Sequence, residues 1–205
     1  PYEEGDVQGD TFTTEEGDEQ SVRMMHSHET AYLENNLAEG FLKPYKDYNF
    51  SFVALLPKQG VQLADLVASL DGTSLHEVIA NPISNIKASA GLPKFSLDYQ
   101  TTLNDQLVAM GVRDAFDPKL ADFSRLATLK DGNLAISTVL QKTFIDVNET
   151  GTKAAAVTSI GMTCSTATPD EPEVREVILD RPFVYFIIDN MTLTPLFAGV
   201  LTHME

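Results

Sequence analysis

The sequence has no tryptophan, a single cysteine and few basic residues, and each shortage excludes something. Cys164 on its own cannot close an internal disulfide, so packing rather than cross-links must hold the fold. Lys plus Arg number 14 against 30 Asp plus Glu, a net charge of -16. Such a surface repels a nucleic-acid backbone or an anionic membrane, which removes both as expected partners. The longest apolar run, near Phe183–Ile188, is far shorter than the roughly 20 residues that cross a bilayer as a helix. The opening Pro1-Tyr2-Glu3-Glu4 has no basic region, no apolar region and no initiator Met, so no signal peptide is visible in this chain. A phosphate-binding glycine loop, a nucleophile elbow and an acid, base and nucleophile constellation are also missing, which leaves a hydrolase without support. No cofactor is expected.

What is present is a chain of 205 residues, 43% of them apolar, enough to build a real core. From Thr11 to Pro57 the pattern is that of short strands: Thr11–Thr14, Val22–Met25, Ala31–Leu33 and Phe50–Leu56, separated by Gly, Asn, Asp or Pro. Leu63, Leu66, Val67 and Leu70 then fall at i, i+3, i+4 and i+7, the stripe of an amphipathic helix ended by Asp71-Gly72. Ser74 and Glu77 have capping-box spacing for a second helix, closed by Asn81-Pro82. A third follows Thr101 and Thr102, with Leu103, Leu107 and Met110 on one face and Gly111 as its stop. Leu134–Val147, Phe183–Ile188 and Leu196–Leu201 read as strands again, with Asp189-Asn190 turning between the last two.

The segment after Val147 is different in kind. A connection of roughly 25 residues is long for a compact domain and is expected to be functional or disordered. From Ala154 to Pro169 it carries no charge, and from Thr150 to Thr168 no proline, so it has the composition of a strand in waiting rather than of a Gly/Ser/Pro linker. Period two places Thr152, Ala154, Ala156, Thr158, Ile160, Met162 and Cys164 on one face, all small or apolar. Lys153, Ser159 and Thr163 keep the other face polar. Past Thr168, Pro169-Asp170-Glu171-Pro172-Glu173 opposes strand pairing.

Two motifs in this order resemble the serpin family. Asn148-Glu149-Thr150-Gly151-Thr152-Lys153-Ala154-Ala155-Ala156-Val157-Thr158 is similar to the serpin hinge. Val177-Ile178-Leu179-Asp180-Arg181-Pro182-Phe183-Val184-Tyr185-Phe186-Ile187 and Thr194–Val200 are similar to the family's C-terminal signature and last strand. Upstream, Val22–Met25, Phe52–Pro57 and Gly91–Leu97 resemble, in turn, a strand leading into the barrel, a barrel strand and the outer strand of the large sheet.

The resemblance implies an α+β serpin fold, with a large mixed sheet, barrel-like sheets B and C and surrounding helices. The whole of residues 1–205 is then the C-terminal part of one serpin domain, with the hinge and reactive-centre loop in 150–175 and the N-terminal helical part absent from this chain. It also implies a suicide-type inhibitor, not an enzyme. The loop is offered as bait, cleaved and inserted as a strand, and the protease stays trapped as an acyl-enzyme; the alternative is a non-inhibitory carrier or chaperone. The hinge residues are Glu149, Gly151, Thr152, Ala154, Ala155 and Ala156. Sixteen positions past Glu149 the family count reaches Ser165, making Ser165-Thr166 the reactive bond, with Met162, Thr163 and Cys164 as neighbours. No Lys or Arg lies between Lys153 and Arg175, so the expected target is an elastase-, subtilisin- or papain-like serine or cysteine protease rather than a trypsin-like one. The other expected partner is the N-terminal part of the same serpin. Lys94 and Glu149 match a salt bridge at the top of the large sheet, and Gln141 stands where the family often has a histidine. The expected location is extracellular. His26 and His28 form an H-x-H without an evident third ligand, so no metal site is expected. Asn49, Asn148 and Asn190 open glycosylation sequons.

Overall fold

A computed structural model describes residues 2–127, 129–130, 132–149 and 171–204, apart from the side chain of Glu4. It falls into two units, Pro1–Phe95 with Val147–Glu205, and Ser96–Asp146.

The first unit holds two sheets. In one, β1 (Val7–Thr13), β2 (Glu19–Glu29), β6 (Ile86–Pro93) and β9 (Glu173–Ile178) lie in that order. The long β2 serves two neighbours: Glu19–Met25 pair with β1 and Met24–Glu29 with β6, both antiparallel. β9 runs parallel to β6 along the edge, with Glu173 opposite Ile86 and Ile178 opposite Gly91. The other sheet is antiparallel throughout, in the order β11 (Pro195–Leu201), β10 (Phe183–Asp189), β5 (Phe50–Pro57), β4 (Ala38–Pro44), β3 (Ala31–Glu34).

β5 and β10 sit in the interior of this second sheet and are buried on both faces, which is why they read as nearly unbroken apolar runs rather than as alternations. One face packs Leu33, Val53, Leu55, Val184, Phe186 and Ile188 against two helices, α1 (Leu63–Ser69) and α2 (Gly72–Ala80), through Leu66, Leu75, Val78 and Ile79. Phe52, Phe95, Phe183 and Tyr185 form an aromatic cluster with ring centroids 5.5–6.3 Å apart. Full burial of each such side chain contributes about 1.5–3 kcal/mol.

The expected helix stripe of α1 is only partly used, since Leu66 is buried while Val67 is 44% exposed. The capping box of α2 starts earlier than Ser74. Asp71 is the N-cap and accepts from the backbone N–H groups of Thr73 and Ser74, while Ser74 Oγ accepts from Asp71 N–H. A carboxylate on the flank of the turn wins because it reaches two orphan donors at once.

In the second unit, β7 (Phe95–Thr102) and β8 (Leu140–Val147) form a two-stranded sheet. Between them lie α3 (Asn104–Ala109) and a single 3-10 turn at Asp114–Phe116. Gly111 follows α3 at φ +101, as expected of a helix stop. The strand expected over Leu134–Val147 begins only at Leu140. Upstream, Ile136 N–H donates to Ala115, and the Ser137 carbonyl and Val139 N–H are taken by the side-chain amide of Asn104. Those backbone groups are spent on Asn104 and Ala115, so they cannot also extend a ladder. The outer strand read over Gly91–Leu97 is likewise two strands. Pro93 ends β6, and Lys94 separates it from β7.

Candidate functional site

Glu149 is held where three strand ends meet. Pro93 has no N–H to give, and Lys94 turns its own N–H back to the Arg23 carbonyl at 2.8 Å. That fixes Lys94 at the junction of β6 and β7. Glu149 lies two residues past the end of β8, and its carbonyl accepts from Tyr2 N–H at 3.4 Å. Lys94 Nζ then lies 2.9 Å from Glu149 Oε2 and 3.2 Å from Oε1. The Lys94 hydrogen bond, foremost, holds the Glu149 carboxyl below the usual glutamate range. Arg23 adds a smaller pull in the same direction. A cavity lined by Tyr2, Glu3, Val7, Arg23, Lys94 and Glu149 opens beside the pair.

Beneath it is a buried polar cluster. Lys43 on β4 and Glu29 on β2 approach to 2.5 Å, each side chain 9% exposed. Ser27 Oγ donates to Glu29 at 2.7 Å, and the Lys43 ammonium lies 4.7 Å from the Tyr2 ring centroid. Burial opposes the charged lysine, but its interactions with Tyr2 and with the Glu29 carboxylate outweigh it, so its pKa is raised and it stays an ammonium. This pair joins one sheet to the other.

At the start of β9, Glu173 N–H donates to the Asn85 carbonyl at 3.0 Å. Arg175 holds Glu34 and Glu173 together. Beyond β9, Leu179 N–H reaches Gly91, Asp180 accepts from Thr13, and Arg181 spans Asp180 and the Pro57 carbonyl.

Of the residues that the sequence points to, Lys94 and Glu149 are therefore brought together. Gln141 is exposed on β8, 3.4 Å from Thr143 Oγ1. Gly151, Thr152, Ala154, Ala155, Ala156 and the reactive-bond residues Met162, Thr163, Cys164, Ser165 and Thr166 lie outside the described residues. His26 and His28 sit on β2, and among the described residues no group of three His, Cys, Asp or Glu is placed to hold a metal. Sequence reasoning missed Tyr2, Glu29, Lys43, Glu34 and Arg175. A lysine flanked by apolar residues in Phe41-Leu42-Lys43-Pro44 was the one local signal for the buried pair.

Two sheets joined through the Glu29–Lys43 pair, with a long connection leading from Glu149 to the edge strand β9, define a serpin-type fold. The family model described as Serpin (serine protease inhibitor) matches residues 1–204, and the chain belongs to the serpin family. It is similar to an uncharacterized serpin-like protein of Methanosarcina mazei, 34% identical over 95% of this chain and 44% of that protein. It is also similar to the leukocyte elastase inhibitor of Homo sapiens, 31% identical over 92% of this chain and 50% of that protein. Among solved structures it resembles the native state of tengpin, a thermophilic serpin, with a TM-score of 0.84 and 41% identity over 99% of this chain and 51% of that one. The chain thus spans about half the length of the curated relatives it matches.

Proposed function

We propose that this chain carries the working end of a suicide-type protease inhibitor, not an enzyme. The observation that carries the reading is the join between sequence and structure at Glu149. A segment free of proline from Thr150 to Thr168 and of charge from Ala154 to Pro169, with a small-residue face, follows a glutamate held by Lys94 and leads on through Pro169-Asp170-Glu171-Pro172 to an edge strand, β9. A segment so composed suits entry into a sheet as a new strand, because it brings no charge to bury. In this reading a protease attacks the Ser165-Thr166 bond, or one within a few residues, and forms an acyl-enzyme. Insertion of the freed segment then drags the protease and distorts its oxyanion hole. Every 1.4 kcal/mol of lost transition-state stabilisation slows deacylation about tenfold.

An elastase-like, subtilisin-like or papain-like target fits the absence of Lys and Arg from the bait, and one relative carries the name of an elastase inhibitor. The N-terminal part of the same serpin is the second partner. Tyr99, Leu140 and Phe144 on β7 and β8 are 61%, 52% and 66% exposed, and a two-stranded sheet needs further strands to bury such groups. The reading places the protein outside the cell, where it meets free proteases.

The test mixes the full-length protein with elastase-like, subtilisin-like and papain-like enzymes and looks for a complex that survives denaturant. A covalent complex with one of them supports the reading. Cleavage of the loop without a complex favours the carrier or chaperone alternative.

A further inference from the structure

β9 is held in two different ways along its length. Its second half is anchored by packing: Val177 is fully buried, as is Leu179 just past its end. Ile178 lies over the bare Cα of Gly91, where an added Cβ would come within 2.9 Å of its Cδ1. The first half, Glu173–Arg175, has no such anchor. Glu173 and Val174 are exposed, and among the described residues the only strand beside them is β6, at Ile86–Ala88. An edge segment with few buried contacts opens readily.

Arg175 supplies what packing does not. Its Nη1 donates to Glu34 Oε2 at 3.0 Å and its Nε to Glu173 Oε1 at 2.8 Å, while the guanidinium lies 5.4 Å from the centroid of the Tyr32 ring. Glu34 is itself fixed, because Lys58 Nζ reaches its other oxygen at 2.7 Å. Glu34 ends β3 and Lys58 follows β5, so the fork ties the edge of one sheet to the other sheet. A planar guanidinium can serve two carboxylates and a ring at once, which a lysine cannot.

We infer that Arg175 is a positioning residue for inhibition: by clamping the first half of β9 to Glu34, it fixes the far anchor of the bait segment. The inference rests on the inhibitory reading above. The hinge end governs what happens after cleavage. The far end governs how narrow a set of conformations the uncleaved bait offers to a protease, and a narrower set binds faster and better.

Hydrogen exchange on the full-length protein compares the wild type with Arg175→Met, which keeps an unbranched stem against Tyr32 but has no fork, and with Arg175→Lys. Amides of 173–176 should exchange about tenfold faster in the Met variant, those of 177–179 should stay within about twofold, and the Lys variant should fall between. Unchanged exchange at 173–176, or equal loosening along 173–179, overturns the clamp. With a protease that the wild type captures, Arg175→Met should associate about threefold or more slowly, with the same number of inhibitor molecules consumed per protease. An unchanged association rate, or a changed stoichiometry, overturns the positioning role. If the wild type captures no protease, the inhibitory reading fails, while the exchange measurement still decides whether Arg175 clamps β9.

Discussion

Lys94 Nζ sits 2.9 Å from Glu149 Oε2, linking the residue between β6 and β7 to the residue that precedes the proposed bait segment. Both side chains are more than a third exposed, so water and salt screen the pair, and it fixes position more than it adds stability. Lys94→Ala should therefore leave the fold in place but let the hinge open early. Its signature is faster loss of inhibitory activity on warm incubation, with the chain uncleaved, and Lys94→Arg should retain the wild-type rate. Because the folded-state pKa of Glu149 is depressed, the contribution of the pair is present above the usual glutamate value. It disappears as pH falls through the lower folded value. Wild type and Lys94→Ala should then converge in acid. Equal decay rates at neutral pH would remove the pair from the mechanism.

The Glu29–Lys43 pair makes the opposite kind of prediction, because both groups are buried. Glu29→Ala strands an ammonium between the sheets and should cost about 3–5 kcal/mol in urea unfolding, whereas Glu29→Met with Lys43→Met should lie within about 1 kcal/mol of wild type or above it. A single-variant loss below about 1 kcal/mol would show that water reaches the pair.

Two glycines separate backbone from side-chain limits. At Gly40 an added Cβ would fall 2.0 Å from the Ala54 carbonyl oxygen, on the strand that pairs with β4. Gly40→Ala should cost about 3 kcal/mol, since neither strand can shift without breaking register. At Gly91 the obstacles are side-chain atoms, Ile178 Cδ1 at 2.9 Å, Ile178 Cγ2 at 3.1 Å and Met24 Cγ at 3.3 Å, which can give by a few tenths of an ångström where a paired backbone cannot, and Gly91→Ala should cost about 1 kcal/mol. Denaturant unfolding of both variants checks the order; the reverse order would refute it.

These contrasts also mark what the sequence could tell. β5 and β10 were legible because burial on both faces leaves an apolar run, whereas the reading of a bait segment, from lack of charge over a long connection, falls on residues outside those described. β4 was not, since Gly40 and Lys43 interrupt it. Gly40 is required by the approach of Ala54, and Lys43 is inside only because Glu29 meets it. β6 hides for a similar reason. Its Ala, Ser and Gly are weak strand formers, and Gly91 lies too close to Ile178 and Met24 for a side chain. Lys94 and Glu149 were legible through motifs on either side, whereas the Arg175–Glu34 contact joins residues 141 positions apart, and no local pattern records it.

The central claim is that the bait enters a sheet with its even-numbered face down, and Ala156→Arg tests it most directly. The measurement is the yield and rate of denaturant-resistant complex formed by the full-length variant and by wild type with the same protease. Insertion would bury an unpaired charge at that position, so the account predicts that the variant is cleaved and released as a substrate. Stable covalent complex formed by Ala156→Arg at the wild-type rate would contradict it.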